Sequence, residues 1–252
     1  MKKGMKKGTG AYIDVLGRYG QNGCMPRTAR VAPGGMVFHV LNRGVARMQV
    51  FRCQQDYAAF ERVVEETLRV APTRICAFCW MPNHWHFVLW PRCDGELSDF
   101  MQRMANMHTQ RWQRAKRRVG YGHLYQGRFK SFPVENDEHF YTLVRYVERN
   151  ALRAGLVRRA EDWPWGSLQR RVQGRCRPLL AEWPLPEPLD WRDQVNAPQT
   201  EAELEAIRRC LRRGCPYGSV PWAEGTAEQL GLQSTLRPRG RPRGTPLRGA
   251  VV

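Results

Sequence analysis

Two histidines one residue apart, His84 and His86, stand in the run Pro82-Asn-His-Trp-His-Phe-Val-Leu-Trp90. Side chains on a β-strand alternate between its two faces. The two imidazoles therefore project together, while Trp85, Phe87 and Leu89 enter the opposite, helix-covered side. Two imidazoles on one strand hold a divalent cation if a third ligand arrives from elsewhere. At a phosphodiester such a cation polarises an oxygen and positions the group for attack. Taken alone, the pair is equally compatible with hydrogen-bonded or surface histidines. The apolar residue between them, the strand setting and the basic composition together favour the metal reading.

The composition narrows the substrate. The chain has 252 residues and a formal charge of +18, and all but six of its 41 basic residues are arginine. Such an excess is out of place in a neutral metabolic enzyme and fits a polyanionic partner. The guanidinium fork matches phosphate and guanine edges better than an ammonium does. A coding bias toward arginine is the competing cause. Eight cysteines are spread along the chain, and reduced thiols are the default reading. Cys76-Ala-Phe-Cys79 has zinc-like spacing. It lies in a strand-like run, where positions three apart face opposite sides. No second pair completes a four-ligand set.

Several elements must position the histidines. Met36 to Leu41 reads as a first strand, ended by Asn42-Arg-Gly44. Tyr57, Phe60, Val63, Val64 and Leu68 mark the apolar face of a helix. Arg74 to Trp80 is a second strand, and His84 to Trp90 a third that pairs back on it through Pro82-Asn83. After Asp94-Gly95 a helix carries Leu97, Met101, Met104 and His108 on one stripe. Residues 114–123 read as a basic loop, 129–134 as a candidate fourth strand, and Phe140, Leu143, Val144 and Val147 as another helix. Trp163-Pro-Trp-Gly166 looks like packing at a domain edge. This order predicts an α+β fold: a small antiparallel sheet of split β-α-β type with helices on one face.

The flanks differ from this block. Residues 1–24 read as a flexible basic leader, with Met25 as an alternative translation start. No apolar stretch follows the leader, so it is not read as a secretion signal. The longest apolar runs fall far short of a membrane span. The block itself is placed at 25–175. Residues 176–235 read as a proline-rich linker and small helical extension, with helices expected at 201–211 and near 223–230. Residues 236–252 read as a basic disordered tail.

The residues resemble a family. Phe38-His-Val-Leu-Asn-Arg-Gly44, Met81-Pro-Asn-His-Trp-His-Phe87, Gly127-Arg-Phe-Lys-Ser131 and Arg145-Tyr-Val-Glu-Arg-Asn-Ala-Leu-Arg-Ala-Gly-Leu-Val157 look like the REP-associated tyrosine transposases, of the single-tyrosine HUH superfamily. The resemblance runs from about Met25 to Leu168. It implies a ferredoxin-like sheet and a DNA transposase that cleaves and rejoins single-stranded, hairpin-flanked DNA by metal-assisted transesterification. His84 and His86 would hold Mg2+ or Mn2+, a helix-borne tyrosine would form a 5′-phosphotyrosine, and a third ligand would come from the tyrosine helix. His39 resembles the family's strand histidine; an ordinary sheet histidine is an equal reading.

The helix after the histidine strand has no tyrosine in Met107-His-Thr-Gln-Arg-Trp-Gln113. His108 is the first candidate for third ligand, and Gln113 a second. Tyr121, in the glycine-containing loop, is the leading nucleophile; Tyr125 follows, and Tyr141 and Tyr146 rank below both. Without a tyrosine in reach, the alternatives are a metal-dependent hydrolytic nuclease or a catalytically degenerate DNA-binding protein, with structured RNA a further partner class. Arg111, Arg114, Lys116, Arg117, Arg118, Arg128 and Lys130 are candidate phosphate contacts. Arg239-Gly-Arg-Pro-Arg243 resembles an AT-hook core. It assigns Arg239, Arg241 and Arg243 to the minor groove of AT-rich duplex. The expected location is cytoplasmic and nucleoid-associated.

Overall fold

The computed structural model describes residues 31–176 and 179–237. The leader, Met25 as a start, and the tail arginines Arg239, Arg241 and Arg243 lie outside the described residues. The first elements run β1 (Val37–Arg43), α1 (Gln54–Val70), β2 (Arg74–Met81), β3 (His84–Trp90), α2 (Glu96–Ala115), β4 (Lys130–Val134) and α3 (Glu138–Glu148). The four strands form one antiparallel sheet in the order β2-β3-β1-β4. This is the split β-α-β arrangement, and its fourth strand falls where the sequence placed it.

Alternation along the strands sorts the core into two layers. Phe78, Trp80, Trp85, Phe87 and Leu89 turn to α1 and α2, where they meet Phe60, Val64, Phe100 and Met104. The predicted α2 stripe of Leu97, Met101, Met104 and His108 is buried, and Phe100 and Trp112 extend it. Val37, Val88, Phe132 and Val134 turn the other way, against Phe140, Leu143, Val144 and Val147 of α3. So helices cover both faces rather than the one expected: α1 and α2 share the first, and α3 closes the second. The apolar stripe of α3 needs a partner, and a fully buried large side chain contributes about 1.5–3 kcal/mol.

One detail of β2 overturns the reading of its cysteines. The pairing with β3 shifts register between Ile75 and Ala77. A bulge adds a residue to one strand and breaks strict alternation. Cys76 and Cys79 therefore both lie in the α3-side layer rather than on opposite faces. Burial pushes both thiols up to about 12.

The remaining helices are α4 (Asn150–Arg153), α5 (Ser167–Val172), α6 (Trp191–Asn196), α7 (Glu201–Arg213), α8 (Val220–Gln229) and α9 (Gln233–Leu236). The stretch read as a linker packs into the core. Leu179 and Leu180 join the first layer, and Trp183, Trp191, Val195 and Ile207 join the second. Thr200 and Glu203 form a reciprocal capping box that starts α7. Trp163-Pro-Trp-Gly166 covers the β2 edge: the Trp80 N–H donates to the Trp165 carbonyl at 2.9 Å, and Trp163 Nε1 donates to the Trp80 carbonyl at 3.1 Å. An exposed strand edge would otherwise present unpaired backbone groups. No helix among the described residues is long and apolar enough to cross a membrane.

Glu148 ends α3 in full burial. Its carboxylate accepts from Ser167 Oγ at 2.5 Å and from Trp191 Nε1 at 2.7 Å, and Arg171 Nε lies 3.7 Å away. Burial raises its pKa, while Arg171, Ser167 and Trp191 oppose the rise.

Candidate functional site

His84 and His86 open β3 at the end of the sheet where Arg43 pairs with His84 and Leu41 with His86. Their rings lie 5.0 Å apart, edge to face. In each, Nδ1 is engaged and Nε2 remains. His84 Nδ1 bonds Asn83 Oδ1 at 2.6 Å, and His86 Nδ1 bonds Nε2 of buried His39 at 2.9 Å. A metal-ligating histidine needs this division, one nitrogen for the ion and the other held by the protein. Burial, reinforced by Arg43 and Arg153, lowers the His84 pKa to about 4. Burial, followed by His84 and His39, holds His86 well below the usual histidine range. Both rings are neutral at neutral pH and keep a lone pair.

His39 reaches this face because β1 alternates as β3 does. It stacks on Phe132, centroid to centroid 4.9 Å, and its Nδ1 is buried without a partner. Its contact with His86 makes it the natural holder of the His86 tautomer.

α3 lies over the same face and brings a tyrosine that sequence reasoning ranked low. The Tyr146 ring stands edge-on to His86 at 6.0 Å. The Arg153 guanidinium sits 4.1 Å from the Tyr146 ring centroid and donates to the Tyr146 carbonyl at 3.2 Å. One helical turn beyond Tyr146, Asn150 is buried with its Nδ2 unpartnered.

The other predicted residues fall elsewhere. His108 and Tyr125 lie across the sheet from the histidine pair, in the α1/α2 layer. Trp85 Nε1 donates to Tyr125 Oη at 2.9 Å, and the Tyr125 hydroxyl bonds His108 Nδ1 at 2.5 Å. Burial raises the Tyr125 pKa. The structure therefore does not bring His108 to His84 and His86, and it occupies the Tyr125 hydroxyl in packing. Gln113 caps the following loop through the Gly122 carbonyl at 2.7 Å. Tyr121 is 75% exposed in that loop, with Arg118 5.7 Å above its ring. Arg111 and Lys116 pair with Glu66 and Asp56. Arg114, Arg117 and Arg118 are exposed, as are Arg128 and Lys130.

Burial also lowers the His108 pKa to about 3. Between its ordinary value of 6.5 and about 3 the unfolded chain binds a proton that the folded chain refuses. Stability is thus lost as pH falls through that window and is level above it. His108→Gln removes the titration and keeps an acceptor for Tyr125. By pH 5 it should recover on the order of 2 kcal/mol of the acid loss. Urea unfolding at pH 7 and pH 5 measures this; an unchanged acid loss in the variant would refute it.

Among the described residues, Glu135, Asp137 and His139 form the one group of three whose ligand atoms lie within 4.8 Å of one another, and it can coordinate a divalent metal. It sits at the opposite end of the sheet from the histidine pair, just past Val134. Its atoms already serve the fold. Asp137 Oδ1 accepts the His139 backbone N–H at 2.8 Å, capping α3, and the Glu135 carboxylate holds Ser219 N at 2.6 Å.

Comparison with known proteins gives the following. The family described as Transposase IS200 like matches residues 34–150. A REP-associated tyrosine transposase from Escherichia coli (strain K12) is 26% identical over 167 residues, 65% of this chain and 88% of that protein. A solved structure of the REP-associated tyrosine transposase bound to a REP hairpin has 20% identity and a TM-score of 0.48, covering 70% of this chain and 100% of its own. A putative transposase from Deinococcus radiodurans R1 has 13% identity and a TM-score of 0.33, covering 62% and 97%.

Proposed function

We propose, from the match of residues 34–150 to the family described as Transposase IS200 like and the likeness to a REP-associated tyrosine transposase, that the chain is an HUH transposase that cleaves and rejoins single-stranded, hairpin-flanked DNA with Tyr146 as nucleophile. The observation that carries this is the placement of Tyr146 against His86 on the face that α3 covers. Covalent catalysis needs an activatable group beside the reacting phosphate, and Tyr146 is the tyrosine on that face at the histidines.

The residues fit a divalent cation. Nε2 of His84 and of His86 would hold it, with the Asn150 carbonyl oxygen as third donor one turn beyond the nucleophile. Two neutral nitrogens and an amide oxygen suit a borderline ion such as Mn2+, and Mg2+ with water completing its shell. When bound, the cation supplies charge stabilisation at the phosphate. His39 holds the His86 ring in one tautomer, with the proton on Nδ1. Arg43 and Arg153 attract the phosphodiester, and Arg153 fixes the Tyr146 ring. In the cleavage step the bond from tyrosine oxygen to phosphorus forms and the bond from phosphorus to the 3′ oxygen breaks. The phenolic proton is passed on to the departing 3′ oxygen, leaving a 5′-phosphotyrosine and a free 3′-hydroxyl. Rejoining is the reverse, with an incoming 3′-hydroxyl.

Labelled hairpin DNA with single-stranded flanks, incubated with protein and Mn2+ or Mg2+, tests the reading. Wild type should cleave only with metal, and His84→Ala/His86→Ala should lose cleavage by at least about a hundredfold while still binding DNA. Metal-independent cleavage, or full activity in the double variant, would remove the histidine pair from the chemistry.

A further inference from the structure

Beside the histidine pair a cavity of about 480 Å³ opens between the sheet and α7. One wall is Leu41, Asn42 and Arg43 of β1, with Arg128 and Lys130 leading into β4; the other is Arg208, Leu211 and Arg212 of α7. Five of the lining side chains are cationic and none is acidic. The cavity adjoins the histidine strand through β1, since Leu41 pairs with His86 and Arg43 with His84. Arg208 also acts on Arg153, the residue over the Tyr146 ring. Arg208 and Arg212 make ion pairs with Glu201 and Glu205 on the outer surface of α7. Such exposed, solvent-screened pairs are weak and yield to a stronger partner.

We propose that this cavity takes one unpaired nucleotide of the strand that runs past Tyr146, with the α7 arginines on its phosphate. This rests on the function proposed above and adds the substrate feature it would read. The volume lies within the usual range for small-molecule sites. The two leucines offer an apolar surface to a base, and the cations surround where its phosphate would lie. A base paired in a duplex cannot enter such a pocket, whereas an unpaired base pays little to do so. α7 lies beyond residues 34–150, the span that matches the family. The α7 wall, with two of the five cations, is therefore supplied by the C-terminal extension of this chain.

The test uses the full chain and fluorescence anisotropy at fixed salt, with two probes: a hairpin carrying a single-stranded flank and the same hairpin with a blunt end. Arg208→Ala/Arg212→Ala should weaken binding of the flanked hairpin by about tenfold and lower its salt slope by about 1–2. Binding of the blunt hairpin should change less than about twofold. Arg62→Ala/Arg69→Ala on exposed α1 removes the same charge elsewhere and should leave the flanked hairpin within about twofold. Equal losses on both probes, no loss, or an equal loss in the α1 variant would overturn the pocket. Covalent adduct formation by the wild type is scored in parallel. Flank-specific loss without any adduct would keep the pocket and remove the chemistry; an adduct without flank-specific loss would do the reverse.

Discussion

Tyr146→Phe is expected to abolish the covalent protein–DNA adduct and to lower strand cleavage by at least about a thousandfold, with DNA affinity within about threefold of wild type. The magnitude follows from removing the nucleophile of a covalent mechanism, where the residual rate comes from binding and electrostatics alone. Affinity survives because phenylalanine keeps the ring beside His86 and beneath Arg153. Tyr121→Phe should form the adduct at the wild-type rate, since its ring is exposed in the α2–β4 loop. Tyr125→Phe should also form it, while losing about 1–3 kcal/mol of stability because His108 Nδ1 and Trp85 Nε1 each lose a buried partner. Denaturing gels and peptide mapping of the adduct decide the matter. A phosphotyrosine mapped to any other position, or an adduct persisting in Tyr146→Phe, would refute the assignment.

The second large effect is on stability. Glu148→Ala should destabilise the chain by about 3–5 kcal/mol, the usual result of removing one member of a buried polar network. For a chain of this size that lowers the melting temperature by roughly 10 °C. The cause is specific: Ser167 and Trp191 lose their acceptor and Arg171 loses a buried carboxylate, while a cavity opens under α3. Glu148→Gln keeps the shape and one of the two acceptor contacts, and should cost about 1–3 kcal/mol. Calorimetric melting of the three proteins checks this, and a loss under about 1 kcal/mol for the alanine variant would show that the network carries little.

The sheet and the layer behind it were legible because period-two and helical periodicities sit plainly in the sequence. β3 begins and ends where the His84–Trp90 pattern does, and the α2 stripe is buried as the spacing requires. The placement of His84 and His86 on one face was legible for the same reason. The placement of Tyr146, the nucleophile proposed above, was not, and the cause is geometric. Alternation sends His84 and His86 to one face and Trp85 and Phe87 to the other, and α2 covers the second. A tyrosine able to meet the histidines must therefore come from a helix on the first face. The family resemblance pointed instead to the helix that follows the histidine strand, α2, which lies on the other face. The pattern of Tyr146 and Asn150 at i and i+4, beneath the apolar stripe of α3, was the signal available. The packed extension was hidden by its prolines, which disfavour long helices but leave Trp183 and Trp191 free to enter the core. The bulge at Cys76 had no sequence marker, since neither glycine nor proline accompanies it.

The clamp on α3 also imposes an order in time. Trp191 Nε1 reaches Glu148 at 2.7 Å, Arg145 Nε donates to the Gln194 carbonyl at 3.1 Å, and Arg149 Nη1 donates to the Val195 carbonyl at 3.0 Å. All three partners are made well after the helix they hold. During synthesis from the N-terminus, the histidine strand is complete while the tyrosine helix still lacks its anchors. On the function proposed above, nicking of nearby DNA would then begin only as the last quarter of the chain emerges, which would spare the template from a half-built enzyme.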